Sequence, residues 1–257
     1  MALSEFQKNH IQQVIKTCLR NKFQNYKPES NNMPFHYRLL GKDRMALYSF
    51  IQSLNTTFGT SIFEPVAVAL TKNRFKQAIA QYVVGKTISD GCQQSIQTIM
   101  NRLTLGNNPQ KLKEIEQIRK AVGKGKINEL RTVKADLFLE RKDGETFLFD
   151  LKTVKPNISN FKDFKRALLE WAGIVLTQNP KTKINTLIAI PYNPYEPKPY
   201  ERWTLKGMLD LKYELKVAEE FWDFLGGKGA YKDLLDCFEK AGIEMRKEID
   251  NYFSRFK

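Results

Sequence analysis

The sequence predicts an α/β fold in which a small mixed sheet is flanked by helices, with further helices at both ends. Apolar residues recur at helical spacing through most of residues 1–130 and again after residue 205. Between these stretches, segments within 131–192 alternate apolar and polar side chains and are rich in β-branched and aromatic residues. We therefore expect a single domain over 1–257, with a mostly helical part (1–130), a central sheet and helix (131–192), and a loop with a helical tail (193–257).

The helices are predicted from the spacing of their apolar residues and from the residues that end them. A charged helix over 111–122, for example, stops at Gly123 and Gly125. A loop containing Gly59 precedes an apolar run from Ile62 to Leu70, and the helical tail is broken at Gly226-Gly227. The predicted helices before the tail are 4–24, 43–54, 74–84, 95–103, 111–122 and 161–176.

Three strands are predicted for the sheet. Val133–Glu140 and Glu145–Lys152 flank the turn signal Lys142-Asp143-Gly144, so we expect them to form a hairpin. Ile184–Pro191 is a short apolar strand, which a Pro- and Tyr-rich loop over 191–203 follows.

The charge of the chain favours a polyanionic partner. The 257 residues include 42 Lys and Arg against 28 Asp and Glu, a formal net charge of +14. Such an excess binds phosphates with release of counterions, although a merely basic surface would give the same count. No apolar run approaches the length of a membrane span, and no signal peptide is evident. The three widely spaced cysteines suggest neither a disulfide framework nor a zinc site, so we expect a cytoplasmic protein.

The predicted hairpin carries residues suited to metal-assisted hydrolysis of a phosphodiester. Asp150 and Lys152 lie two residues apart on one strand and therefore project from the same face. Asp136 lies on the neighbouring strand. Two carboxylates are suited to Mg²⁺, a hard cation that polarises phosphate and lowers the pKa of bound water. The lysine is suited to positioning that water or to stabilising charge on the phosphate.

The length of the hairpin loop decides whether the two carboxylates meet. A two-residue loop would pair residue 142 with 145 and turn Asp136 away from Asp150. A three-residue loop would pair Arg141 with Glu145 and set Asp136 directly opposite Asp150. Gly144 ends the longer loop, at the position that usually requires a positive φ. The sequence therefore favours the longer loop and a shared face.

Asp136, Asp150, Leu151 and Lys152 resemble the PD-(D/E)XK nuclease signature, with Ala135 in place of its proline. The segments Asn55–Glu64, Lys134–Asp136 and Phe149–Thr153 further resemble TdeIII-type type II restriction endonucleases. This resemblance implies a restriction-endonuclease-like core with Asp136, Asp150 and Lys152 as catalytic residues. It also implies Glu64 as an accessory metal ligand, although Glu64 before Pro65 would equally suit the start of a helix.

Further basic residues are candidates for contacts with double-stranded DNA. Some follow the catalytic strand, others form an N-terminal cluster, and two lie in the loop after 191, which would either read bases or pack against the core. A solvated helix face is the alternative for each of them. The candidates are Arg38, Lys42, Arg44, Lys155, Lys162, Lys165, Arg166, Lys198 and Arg202.

The sequence thus predicts a Mg²⁺-dependent type II restriction endonuclease that makes double-strand breaks at a short DNA sequence as a homodimer. A PD-(D/E)XK nuclease of repair or recombination remains an alternative, as does a non-catalytic nucleic-acid-binding protein in which Asp150 and Lys152 form an ion pair. Ala80–Thr87 matches a relaxed Walker A pattern but lacks its first glycine and lies in a predicted helix, so we expect no nucleotide cofactor.

Overall fold

The computed structural model describes residues 3–27, 33–152, 161–201 and 207–255, without the side chains of residues 55–57. Within it the chain divides into two compact units. The first comprises Met1–Leu70 and Trp222–Lys257, and the second comprises Thr71–Phe221. The sequence analysis expected a single domain over residues 1–257, and this remains a prediction.

The first unit is built from helices. In α1, Ser4 and Gln7 cap the first turn reciprocally, while Ile11 and Ile15 are buried. The helices of this part of the chain are α1 (Glu5–Asn25), α2 (Pro34–Leu40), α3 (Lys42–Phe58) and α4 (Glu64–Thr71), and towards the C-terminus α9 (Glu219–Gly226), α10 (Ala230–Glu244) and α11 (Arg246–Ser254).

The loop predicted at Gly59 is wrong. Residues Gly59–Phe63 form a π-helical turn that joins the end of α3 directly to α4. The ring of Phe63 packs against that of Phe58 with centroids 4.5 Å apart. Helical hydrogen bonding therefore runs through the glycine, at the modest cost that glycine carries inside a helix.

The second unit contains a mixed sheet. Among the described residues its strands are β1 (Gln77–Ser89), β2 (Ile127–Glu140), β3 (Thr146–Leu151), β4 (Ile184–Ile190) and β5 (Leu215–Val217), in the order β1-β2-β3-β4-β5. The β1–β2 and β2–β3 pairs are antiparallel, whereas β3–β4 and β4–β5 are parallel. The β5 strand was not predicted, because its three residues lie within a stretch of helical pattern.

Helices cover one face of this sheet. They are α5 (Asp90–Thr104), α6 (Lys111–Arg119), α7 (Phe161–Gln178) and the short α8 (Leu211–Glu214). Leu168, Ala172 and Ile174 of α7 are fully buried and share one core cluster with Leu148 of β3 and Ile188 of β4. The prediction of a mixed α/β core flanked by helices is confirmed. No helix among the described residues is both long and apolar enough to span a bilayer.

The helix predicted over residues 74–84 is wrong, because this segment forms the first part of β1. The strand pairs with β2 from Gln77↔Glu140 to Ser89↔Ile127, with register shifts around Gly85. The match to a Walker A pattern therefore lies inside an edge strand, not between a strand and a helix as a phosphate loop requires.

The three-residue hairpin loop is confirmed. The N–H of Arg141 donates to the carbonyl of Glu145 at 2.9 Å, and the N–H of Gly144 donates to the carbonyl of Arg141 at 3.0 Å. Gly144 has a φ of 82°, as a residue at the end of such a loop requires. Because Leu137 pairs with Phe149 in the same register, the next residues along, Asp136 and Asp150, fall opposite each other.

Candidate active site

The two aspartates directly follow the last pair of β2 and β3, at the point where these strands begin to separate. The ladder pairs Glu140 with Thr146 and ends at the pair Leu137–Phe149. Beyond that pair the alternation of an antiparallel ladder would bring the N–H of Leu151 to the carbonyl of Ala135. The N–H of Leu151 instead donates to Oδ2 of Asp136, at 2.7 Å. A carboxylate side chain thus replaces a main-chain acceptor at the point of separation and is held in place by that bond.

Lys152 follows β3 immediately and is fixed from three sides. Its main-chain N–H donates to the carbonyl of Ala189 in β4, at 2.9 Å. Its Nζ lies 2.7 Å from Oδ1 of Asp150. The same ammonium lies 4.8 Å from the ring centroid of Phe164 in α7, within the range of a cation–π contact.

The degree of burial suits a reactive site. The side chain of Asp150 is 11% exposed and that of Lys152 is 28% exposed. Partial burial strengthens the electrostatic interactions of these groups, while access remains for a ligand. The residues lie at the carboxyl end of the parallel strands β3 and β4, where open α/β sheets commonly bind ligands.

Gln81 is a feature of this region that the sequence reasoning missed. It has a φ of 53°, which is uncommon for a residue other than glycine. By the register of β1 with β2, Gln81 falls opposite Asp136. Such strain clusters at functional sites. A glutamine among the apolar residues of an edge strand could have pointed to this position. The segment was predicted to be a helix, so the glutamine was not singled out.

The donor set is compatible with a Mg²⁺ ion. In the part of the chain that the structure describes, no group of three or more His, Cys, Asp and Glu residues converges. Mg²⁺ is commonly held by one or two carboxylates, with waters and substrate phosphate oxygens completing the coordination. Asp136 and Asp150 supply two carboxylates of this kind, so the residues present fit the ion.

Glu64 belongs to the first unit, whereas the aspartates belong to the second. It is the first residue of α4, precedes Pro65, and is only 2% exposed. Because the π-helical turn joins α3 directly to α4, the N–H of Glu64 bonds to the carbonyl of Gly59, so Glu64 does not begin a free helix as the capping alternative requires. Its role as an accessory metal ligand stays a prediction.

The candidate DNA-contacting residues fall into different settings. Arg38, Lys42 and Arg44 are exposed on α2 and α3, and Lys198 is exposed in the loop after β4. On α7, Lys162 is exposed, whereas Arg166 is half-buried and donates to Oε1 of Gln97 at 2.9 Å. Lys155 and Arg202 lie outside the described residues.

The prediction for Lys165 is wrong. Its side chain is fully buried, and its Nζ lies 2.6 Å from Oε2 of Glu114 and 2.7 Å from Oε2 of Glu214. A surface DNA contact requires an exposed ammonium, so Lys165 has a structural role. Glu214 also contacts Lys111, whose Nζ reaches Oγ1 of Thr186 at 2.5 Å.

Opposing effects set the pKa of Glu214. Burial alone raises its pKa, but the nearby ammonium groups of Lys111 and Lys165 outweigh burial and hold the pKa below its ordinary value. Burial lowers the pKa of Lys111, and the carboxylate of Glu214 offsets this only in part. The lowered pKa of Glu214 thus reflects the attraction of its buried carboxylate to two ammonium groups.

Comparison with known proteins agrees with this geometry. The model of the family described as HinfI, type II restriction endonuclease, matches residues 3–242. The type II restriction enzyme HgiCII of Herpetosiphon aurantiacus is 27% identical over 220 residues, covering 84% of this chain and 80% of HgiCII. The type II restriction enzyme MjaII of Methanocaldococcus jannaschii is 28% identical over 283 residues, covering 97% of this chain and 75% of MjaII.

These matches confirm the type II restriction resemblance drawn from the sequence, and the family that matches is HinfI rather than the TdeIII-type group. The matched residues extend across almost the whole chain, from α1 to α10, and include the hairpin that carries Asp136 and Asp150. The chain belongs to the HinfI family of type II restriction endonucleases.

Proposed function

We propose that this chain is a Mg²⁺-dependent endonuclease that cuts both strands of double-stranded DNA at a short specific sequence. The observation that carries the proposal is that Asp136 and Asp150 directly follow the last β2–β3 pair on neighbouring strands, with Nζ of Lys152 2.7 Å from Oδ1 of Asp150. Membership of the HinfI family supports it. The named relatives HgiCII, MjaII and HgiEI are type II restriction enzymes.

The residues divide the work of hydrolysing one P–O bond. Asp136 and Asp150 would hold Mg²⁺, which when bound polarises the phosphate and lowers the pKa of water. The bond from the Leu151 N–H fixes the carboxylate of Asp136, so that it needs no reordering when substrate arrives. Nζ of Lys152 would lie beside the scissile phosphate, where it orients the attacking water and stabilises the developing negative charge.

The cleavage test uses isosteric and matched variants. Asp150→Asn and Lys152→Ala are each expected to lower Mg²⁺-dependent cleavage of a mapped plasmid by at least about 100-fold, since each removes a group that acts on the transition state. DNA binding without metal should persist. Lys142→Ala, on the exposed loop of the same hairpin, is the control and should cleave normally. Cleavage by either site variant at the wild-type rate would overturn the assignment.

The same digestion separates the proposed specificity from other nuclease activities. Discrete fragments with a common end sequence are expected of a restriction enzyme, whereas random or structure-dependent nicking would indicate repair or recombination. Binding without any cleavage would indicate a non-catalytic DNA-binding protein. Glu64→Gln belongs in the same series, because an accessory ligand role predicts a loss of cleavage that added Mg²⁺ partly restores.

The enzyme is further proposed to act as a homodimer. One Asp136/Asp150/Lys152 site hydrolyses one strand, and two sites related by a two-fold axis match the symmetry of a palindromic duplex. Sedimentation on a short cognate duplex in Ca²⁺ should give two chains per duplex. A complex of one chain per duplex that cuts both strands in a single binding event would contradict the dimer.

A further inference from the structure

Strands β1 and β2 continue past the active site as a two-stranded ribbon of residues 82–89 and 127–135. Its pairs run from Tyr82↔Ala135 to Ser89↔Ile127, whereas the pairing of β2 with β3 ends at Leu137. The ribbon has an inner side, where Val84, Ile88 and Ala135 are buried in the core cluster that includes α5 and α7. The rest of the ribbon is open to solvent over much of its length, with Val83 47% and Ile127 54% exposed.

The exposed part of the ribbon and the turn that leads into it carry an excess of basic residues over one exposed carboxylate, that of Glu129. Five cations are exposed there, and none of them takes part in an ion pair with another described residue. They are Lys86, Lys124, Lys126, Arg131 and Lys134.

Some cations at the other end of the same strands have partners within the chain. There, Lys76 pairs with Glu140 at 2.7 Å, and Arg141 pairs with Glu145 at 2.5 Å. The exposed Lys142 and Lys181 at that end form no ion pair with a described residue. The five ribbon cations all lack such a partner, so the whole cluster is available to an anion from outside the chain.

The centre of the ribbon brings two of these cations together. Gly85 pairs with Val133 and Thr87 pairs with Glu129, so Lys86 alone lies opposite a bulge of three residues, 130–132. Arg131 is the middle residue of that bulge. Like charges opposite each other across two strands destabilise the sheet. Since no described carboxylate pairs with either residue, a bound anion would offset the repulsion between Lys86 and Arg131.

We propose that this ribbon, centred on Lys86 and Arg131, binds the phosphate backbone of duplex DNA beside the scissile phosphate. Lys134 is two residues from Asp136, about 7 Å along a strand, and Lys126 is ten residues away, at most about 34 Å. The bulge at 130–132 shortens this span, so the ribbon covers up to about one turn of duplex. The ribbon therefore follows the backbone on one side of the cut. The inference rests on the proposed function for its substrate and adds the surface that holds it.

The test compares two double variants that remove the same charge. Lys86→Gln with Arg131→Gln changes the ribbon, and Lys142→Gln with Lys181→Gln changes two exposed cations at the opposite end of the sheet. Binding to a 30-base-pair mixed-sequence duplex is measured without divalent metal at salt concentrations from 50 to 200 mM. Each lost phosphate contact should reduce the slope of log affinity against log salt by about 0.9.

The ribbon variant is expected to lose about 1.8 from the slope, so its affinity should fall about tenfold less than that of the wild type over this salt range. The control should retain the wild-type slope. Equal changes in both variants, or no change in the ribbon variant, would overturn the proposal. Thermal unfolding checks that the ribbon variant is folded. Relief of the repulsion between Lys86 and Arg131 should leave its Tm unchanged or raise it.

Failure of this inference is distinguishable from failure of the proposed function. Wild-type cleavage together with an unchanged slope in the ribbon variant would refute the ribbon and leave the endonuclease intact. A changed slope without any cleavage by the wild type would support the ribbon as a DNA surface and refute the endonuclease.

Discussion

Replacing Lys165 tests the buried charge cluster most directly. The ammonium of Lys165 contacts Oε2 of Glu114 at 2.6 Å and both carboxylate oxygens of Glu214 at 2.7 and 2.8 Å. Each glutamate keeps one other cation: Arg102 lies 3.1 Å from Glu114, and Lys111 lies 2.9 Å from Glu214. Lys165→Met removes the charge but keeps most of the apolar stem. Because Arg102 is 35% exposed, the deeply buried groups are then Glu114 and Glu214 against the single ammonium of Lys111.

The expected destabilisation follows from these contacts. Removing one partner of a buried ion pair costs about 3–5 kcal/mol, because the charge that remains stays buried. Lys165→Ala also removes three methylene groups, at about 0.8 kcal/mol each, so its loss should exceed that of Lys165→Met by about 2 kcal/mol. Since domains are stable by about 5–15 kcal/mol, either change is a large fraction of the total.

Urea unfolding monitored by circular dichroism measures these losses, with Lys162→Met, an exposed lysine on the same helix, as the control. Adding Glu114→Gln to Lys165→Met should recover part of the loss. It removes the excess negative charge, and the partner left behind, Arg102, is 35% exposed and can be hydrated. A destabilisation by Lys165→Met of less than about 1 kcal/mol would refute this account of a buried cluster.

Lowering the pH should reduce the difference in the free energy of unfolding between the wild type and Lys165→Met. The pKa of Glu214 is below its ordinary value in the folded wild type, since its lysine partners outweigh burial. Its contribution to stability is therefore present above the ordinary carboxyl pKa and is lost as the pH falls through the lowered value. Without Lys165, Glu214 should take up a proton at higher pH, which relieves the uncompensated charge. The loss of unfolding free energy caused by Lys165→Met should thus be smaller near pH 4 than at pH 7.

Two further predictions concern residues around the active site. Gln81→Gly should raise the free energy of unfolding by about 0.5 kcal/mol. Relief of the positive φ gains about 1–2 kcal/mol, and the greater backbone freedom of glycine in the unfolded chain offsets about 0.5–1 kcal/mol of it. A lower stability in urea would contradict the assigned backbone strain. Phe164→Leu removes the ring beside Lys152 and should lower kcat by about two- to fivefold, the equivalent of a cation–π contact of about 0.5–1 kcal/mol. An unchanged kcat in single-turnover digestion would show that the ring does not position the ammonium.

The hairpin that carries Asp136 and Asp150 was predictable because its determinants are local. Asp136, Gly144, Asp150 and Lys152 all fall within seventeen consecutive residues. The side-chain period of two and the conformation required of Gly144 together fix the register, and the structure has the predicted loop. The conformation expected of Gly144 and the requirement for two carboxylates on one face both pointed to the three-residue loop. The register of Asp136 and Asp150 could therefore be predicted without any long-range contact.

Strand β1 was mistaken for a helix because its irregularities disrupt the period of two. Ala78, Ile79, Tyr82 and Val83 are spaced as on one face of a helix. In the strand, Gln81 has a positive φ and the register shifts on either side of Gly85. Each bulge changes which side chains face the core, so the alternation that marks a strand is lost from the sequence. The ribbon cations were missed for the same reason.

Lys165 was misassigned because its partners are distant in sequence. Glu114 and Glu214 are 51 and 49 residues away, so nothing next to Lys165 signals that its charge is compensated. Its neighbour Phe164 contacts Lys152, although successive residues of a helix point about 100° apart. One turn of α7 therefore both contacts the ammonium of Lys152 and is tied to α6 and α8 through buried charges. Burying these charges costs free energy, which their ion pairs offset. The same ion pairs hold α7 rigidly against α6 and α8, and Phe164 of α7 contacts Lys152.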